Sequence, residues 1–339
     1  MCQFTSEELN LEAERLFEKM KLLDYSKDEC LAFAKITLEI NKLKKEKNAI
    51  ILAHNYQLSE IILGVSDFNG DSYGLSVEAK KTNADLIIFC GVTFMAETAK
   101  ILSPEKKVLV PSLEAGCSLA DDITAEDVIG LRKKFPNAGV VCYVNTTAEV
   151  KAECDVCCTS ANALKVVESI SQDEVIFIPD KFMAINLQKQ TNKKIHSWNA
   201  KCVVHETFTA EQIKKHKAEY SDLVVLAHLE CKPEVIALSD LAGGTGDMLK
   251  YLKQSNEKNF LLVTECGMSD LVITMFPEKH FVRPCNICPY MKKISLENTL
   301  TALKEEKFEI NLPKEVMNKA RVSLDKMMEI SRRVFRTGN

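Results

Sequence analysis

Apolar residues along this chain follow two different periods. From Ser6 to about residue 47 they recur at helical spacing, as in "SEELNLEAERLFEKMKLL", with Ser6 placed to cap the first helix. The run "KLKKEKN" that closes this segment reads as a solvated basic surface. Beyond it come short apolar runs of strand length: "AIILAHNY", "LIIFCGV", "KVLVP", "GVVCYVN", "EVIFIP", "LVVLAH" and "FLLVTECG". Helical patterns separate them: "GLSVEAKKT", "FMAETAKIL", "NALKVVESI", "FMAINLQKQ" and "GDMLKYLKQ". Continuous apolar strands alternating with helices predict parallel sheets covered on both faces. From about residue 294 the pattern returns to helix.

The alternation also repeats at longer range. Three apolar runs end in similar polar triplets, His54-Asn55-Tyr56, Tyr143-Val144-Asn145 and His228-Leu229-Glu230. Small hydroxyl residues follow at 18, 17 and 17 positions: Ser72, Ser160 and Thr245, each expected to open a helix. Met95, Met183 and Met268 follow the same starting points at 41, 40 and 40 positions, and Cys117, Cys202 and Cys288 lie 85 and 86 apart. Four markers in one register predict an α/β/α three-layer unit of about 85 residues, present three times with pseudo-threefold symmetry. The expected organisation is N-terminal helices over 1–47, repeats over 48–137, 138–222 and 223–293, and C-terminal helices over 294–339.

Ligands of open parallel sheets bind beyond the carboxyl ends of the strands. His54, Tyr56, Tyr143, Asn145, His228 and Glu230 are expected there. Ser72, Ser160 and Thr245 at helix starts would favour anions. Three equivalent cysteines can meet on a pseudo-threefold axis and hold a metal centre with one position unfilled. The pair Cys285-x-x-Cys288 then contains one member of that set, and Cys285 has no counterpart in the other repeats.

Composition narrows the class. The chain has 339 residues, 46% hydrophobic and 27% charged, with a formal net charge of -4. That balance argues against nucleic acid or a membrane as partner. No apolar stretch is long enough for a membrane span, and "MCQFTSEELN" lacks the features of a signal peptide, so a cytoplasmic protein is expected. Thirteen cysteines in a reducing compartment point to metal or catalysis before disulfides. Cys90, Cys142 and Cys266 read as core, and Cys154, Cys157 and Cys158 of "CDVCC" as non-ligands, since no other repeat has their equivalent. "GGTGD" lacks the ending of a P-loop; its glycines would allow close backbone approach to an anion.

The stretches "LAHNYQ", "GDS", "EAGCSLAD", "CYVNTTAEVKAECDVCCTSANA", "KCVVHETF", "GGTGDM" and "CPYMKK" resemble the quinolinate synthase family from about residue 50 to 293. The resemblance implies a [4Fe–4S] cluster, one per chain, with Cys117, Cys202 and Cys288 as ligands and a fourth iron open to substrate. It implies condensation of iminoaspartate with dihydroxyacetone phosphate to quinolinate in NAD biosynthesis, and functional coupling to an L-aspartate oxidase or dehydrogenase. Such chemistry moves several protons. Glu230 is the expected general base, with His54, Tyr56, Tyr143, His228 and His205 around it, and Ser72, Asn145, Ser160 and Thr245 among the substrate contacts. Alternatives from the residues alone are an aconitase-like hydro-lyase on a small hydroxy acid, a cluster-based sensor, and structural zinc on Cys285 and Cys288.

Overall fold

The computed structural model describes residues 4–337, with side chains to Arg332. Each repeat contributes four strands. They are β1 (Ala49–His54), β2 (Phe68–Gly70), β3 (Leu86–Cys90) and β4 (Lys107–Leu109); β5 (Gly139–Tyr143), β6 (Val156–Cys158), β7 (Glu174–Ile178) and β8 (Lys194–Ser197); and β9 (Val224–His228), β10 (Leu241–Gly243), β11 (Asn259–Val263) and β12 (His280–Val282). The first two sheets have the same order, β2-β1-β3-β4 and β6-β5-β7-β8, with all strands parallel. In the third repeat β9 pairs with β10, and β11 with β12, again in parallel. The fold is α/β, built from three equivalent repeats.

The repeats agree in detail. The residue after each leading strand donates its N–H to the edge strand: Asn55 to Gly70, Val144 to Cys158 and Leu229 to Gly243, at 3.1, 2.9 and 3.1 Å. Asp67, Asp155 and Asp240, just before the edge strands, each accept the N–H of the leading strand's second or third residue, Ile51, Val140 and Val225, at 2.8, 2.7 and 2.8 Å. These three aspartates are further equivalent positions that the sequence pattern did not reveal.

The chain divides into two compact units, one of residues 1–115 and 254–310, the other of 116–253 and 311–339. In the first, the helices Ser6–Met20 and Lys27–Glu46 pack around Leu16, Met20 and Cys30. The first helix is capped by Thr5, not by Ser6. Thr5 Oγ1 accepts the Glu8 N–H at 3.1 Å while the Glu8 carboxylate accepts the Thr5 N–H at 2.7 Å. This reciprocal pair requires a side-chain acceptor three residues on, and Ser6 has Leu9 there. The basic run is the end of the second helix and is partly tied down, with Lys44 on Asp67 at 2.7 Å and Lys47 on Glu306 at 2.7 Å. In the second unit the helix Lys314–Thr337 covers the sheet, its buried Ser323 3.3 Å from Cys157 Sγ. Among the described residues, no helix is long and apolar enough to cross a membrane.

Candidate active site

In the second unit the ends of β5 and β9 bring a group of polar residues together below the surface. Glu230 lies at the centre, 2% exposed. Its Oε1 accepts from the Tyr143 hydroxyl at 2.6 Å and from Asn145 Nδ2 at 3.5 Å. Its Oε2 is 2.7 Å from His205 Nδ1, which also lies 3.2 Å from Cys202 Sγ. The rings of His205 and His228 stack with centroids 4.4 Å apart. Ligand atoms of Cys202, His205 and Glu230 all lie within 4.8 Å of one another.

Burial alone would raise the Glu230 pKa, but His228, His205 and the Tyr143 hydroxyl outweigh it and hold the carboxyl well below the usual range. Glu230 is an anion at neutral pH. Burial lowers His228 to about 4, against the charge of Glu230, so its imidazole is neutral. His228 Nδ1 accepts the Glu230 N–H at 3.4 Å, which puts the ring proton on Nε2.

Cys117 and Cys202 are half-buried thiols of this unit that form no disulfide, and Cys117 is near enough to act electrostatically on Cys202. Each opens a helical turn: the Asp121 N–H bonds to the Cys117 carbonyl at 2.9 Å, and that of Glu206 to the Cys202 carbonyl at 3.0 Å. Burial and the Glu230 charge push the Cys202 thiol up, while the backbone N–H groups of His205 and Val204 pull it down. Such N–H groups stabilise a thiolate when a metal removes the proton.

Ser160 lies against Gly244, the residue before Thr245. A Cβ on Gly244 would stand 2.4 Å from Ser160 Oγ, so glycine here permits close approach of the Ser160 hydroxyl to the backbone of the next repeat. Thr245 opens the helix Thr245–Gln254 as expected. Ser160 does not open its helix, which starts at Ala163. The Thr159 N–H bonds to Asn162 Oδ1 at 2.7 Å and the Asn162 N–H to the Thr159 carbonyl at 3.2 Å, and this turn delays the helix.

In the first unit His54 repeats the geometry of His228, with Nδ1 accepting the Tyr56 N–H at 3.2 Å. The Tyr56 ring stands edge-on to His54, and its hydroxyl is 2.6 Å from Thr264 Oγ1. Lys292 Nζ bonds to the Tyr56 carbonyl at 2.6 Å and pairs with Glu265 at 3.2 Å. Thr264 and Lys292 had no strong signal in the sequence, although "CPYMKK" carries the lysine. Ser72 opens its helix, with Asp71 as the cap. Cys288, a free half-buried thiol, opens a turn like those at Cys117 and Cys202, with the Lys292 N–H on its carbonyl at 3.2 Å.

Among the other cysteines, Cys90 and Cys142 are core residues, as expected. Cys266 is not: it forms a disulfide with Cys285, the Cα atoms 5.2 Å apart. The residue opens the helix Cys266–Met275 at the end of β11, and this faces it toward the loop before Cys288 instead of into the sheet. The Cys285 sulfur is therefore committed, and a zinc site on Cys285 and Cys288 has lost one of its two donors. Cys154, Cys157 and Cys158 are buried in the second unit, Cys154 on the Val150 carbonyl at 3.0 Å.

A model of the family described as Quinolinate synthetase A protein matches residues 38–329. The chain is 48% identical over 301 residues to a quinolinate synthase of Caulobacter vibrioides (strain NA1000 / CB15N), covering 88% of this chain and 82% of the relative. It is 46% identical over 304 residues to one from Agrobacterium fabrum, covering 90% and 88%. The quinolinate synthase of Xylella fastidiosa is 47% identical over 291 residues, covering 86% of each chain.

Proposed function

We propose, for a chain that belongs to the quinolinate synthase family, that it forms quinolinate from iminoaspartate and dihydroxyacetone phosphate for NAD biosynthesis. The observation that carries this reading is the buried group of Tyr143, His205 and Glu230, a proton-handling cluster built directly onto the half-buried Cys202 thiol.

The donor set suits an iron–sulfur cluster. Cys202 and Cys288 are free thiols whose sulfurs are approached by backbone N–H groups, from Val204 and His205 and from Tyr290 and Met291. Hydrogen bonds of this kind tune cluster thiolates. Cys117, Cys202 and Cys288 would hold one [4Fe–4S] cluster, which when bound supplies a Lewis-acidic iron for a substrate carboxylate and its neighbouring heteroatom.

The protein's own groups handle the protons. An anionic Glu230 is a weak base at neutral pH, but it fixes His205 through Nδ1 and stabilises the imidazolium that forms when His205 takes a proton. Glu230 and His205 thus act as one base. Tyr143, bonded to the same carboxylate, can return a proton to a developing oxyanion. His228, neutral at pH 7, is a second base stacked on the first. Ser160 and Thr245 would hold oxygens of an anionic group, and Asn145, beside Glu230, is a further donor; His54, Tyr56 and Ser72 complete the substrate contacts. An enzyme that oxidises L-aspartate would supply the labile imine.

The test is the content of iron, sulfide and zinc in anaerobically purified protein, with quinolinate measured on the same sample. Near four irons and four sulfides per chain with product formed is the expected result. Protein with zinc alone, or with a full cluster and no quinolinate from these two substrates, overturns the reading.

A further inference from the structure

Lys292 pairs with Glu265 in the first unit, yet its shorter bond goes elsewhere. Its Nζ lies 3.2 Å from Glu265 Oε1 and 2.6 Å from the carbonyl oxygen of Tyr56, in the turn after β1. Glu265 is fully buried, and pairing with Lys292 accounts for its charge there. The pair does not account for the bond to Tyr56. Nor does the turn in which Lys292 lies. Its N–H closes the turn opened by Cys288, but Asp121 and Glu206 close the equivalent turns of the other repeats. Any backbone N–H serves there, and the third repeat alone places a lysine at that position.

The length and charge of the side chain do account for it. An ammonium has three donors and no acceptor, so one lysine can join acceptors from separate segments. A second bond runs the other way between the same two stretches: the buried Gln57 donates through Nε2 to the Met291 carbonyl at 3.2 Å. The Tyr56 carbonyl also rests on the start of the helix Cys266–Met275, where a Cβ on Gly267 would stand 2.8 Å from its carbon and its oxygen. Glu265 accepts the Gly267 N–H at 2.6 Å and the Cys288 N–H at 3.2 Å. Residues 56–57, 265–267 and 288–292 are thus bonded to one another, and Lys292 belongs to the last stretch while its Nζ holds the other two.

We propose that Lys292 is a positioning residue for Tyr56: it fixes the turn that carries this substrate contact to the turn that carries Cys288, and so holds the two in register. The inference rests on the function proposed above. Tyr56 is then fixed at both ends, its carbonyl on Lys292 and its hydroxyl 2.6 Å from Thr264 Oγ1. A small displacement of a group that orients substrate is costly even when the displaced group takes no part in bond making.

Lys292→Met alone would leave Glu265 buried and unpaired, so the test variant is Lys292→Met with Glu265→Gln, which removes both charges at similar volume. The full chain is reconstituted anaerobically, and quinolinate kcat/KM is expressed per cluster from iron and sulfide content. The paired variant should lose about 10- to 100-fold. Tyr56→Phe should lower kcat/KM in the wild-type background but add no more than about twofold to the paired variant, because Lys292 acts through Tyr56. Hydrogen exchange supplies a readout apart from activity: residues 54–58 should exchange faster in the paired variant, while β3 keeps its protection. Gly267→Ala keeps both charges and displaces the Tyr56 carbonyl, so it should show the same non-additivity with Tyr56→Phe even if the paired variant does not fold. Full additivity with Tyr56→Phe, or unchanged exchange over residues 54–58, overturns the proposal alone. Wild-type protein that makes no quinolinate, or Tyr56→Phe with undiminished kcat/KM, overturns the underlying reading, and this inference with it.

Discussion

At the scale of single residues, the buried Glu230 decides how the site behaves. Its carboxylate serves Tyr143 through one oxygen and His205 through the other. Glu230→Gln preserves volume but removes the charge that holds the His205 proton. Quinolinate formation should fall by about 10²–10⁴-fold, the range for general acid–base groups, with iron and sulfide content retained. Turnover near wild type would exclude the role. His228 makes a different prediction, in stability. Its pKa is about 4 in the folded chain against 6.5 for an unperturbed histidine. Between those values the unfolded chain binds more protons, so the contribution is fully present above pH 6.5 and is lost as pH falls toward 4. Asp180, pushed up by burial and by the charge of Glu230, works in the opposite direction at acid pH, so the informative quantity is a difference. Urea unfolding of wild type and His228→Gln from pH 7 to 4.5 should show a shallower loss of stability in the variant. Parallel curves would mean that His228 is solvated and titrates normally.

At the scale of elements, strands and caps were legible to different degrees. The leading strands β1, β5 and β9 and their inner neighbours β3, β7 and β11 were readable because they are buried, continuous apolar runs. The edge strands β2, β6, β8, β10 and β12 were not, because three or four residues with one side unpaired need little apolar character: "FNG", "LAG" and "KIHS" are held by their neighbours' hydrogen bonds. The same limit hid the true start of the helix after Ser160, which a local Asn162 turn decides. Two substitutions test this level. Thr5→Ala removes one half of a capping box and should cost about 1 kcal/mol in chemical unfolding, whereas Ser6→Ala should cost little; the reverse order would restore Ser6 as the cap. Gly244→Ala places a methyl 2.4 Å from Ser160 Oγ. It should destabilise by about 1–3 kcal/mol, the cost of overpacking, and part of that should return in the double variant with Ser160→Gly. Simple additivity of the two changes would show that the residues are not in contact.

At the scale of the whole chain, the repeat made thirteen cysteines interpretable. Spacing alone separated Cys117, Cys202 and Cys288 from the rest, since no other cysteine recurs in all three repeats. The structure adds a shared local geometry: each is a half-buried thiol outside any disulfide that opens a helical turn closed four residues on, at Asp121, Glu206 and Lys292. What spacing could not supply was the pairing of Cys266 with Cys285, because a disulfide depends on where two loops meet, and Cys266 looks from sequence like the end of an apolar strand. Nor could it separate buried thiols by their partners: Cys157 is set beside Ser323, 166 residues later in the chain. These two environments predict opposite outcomes for the same substitution. Cys202→Ala, like Cys117→Ala and Cys288→Ala, removes one of the three proposed donors and should leave the purified protein without a full complement of iron and sulfide. Cys157→Ala removes a sulfur from a packed core and should lower the unfolding midpoint while leaving the metal content intact. Metal and sulfide analysis beside a denaturant melt separates the two. A Cys202→Ala protein with undiminished iron and sulfide would break the link between the repeat and the metal centre, and the search for donors would move to the residues that crowd Cys202, His205 and Glu230.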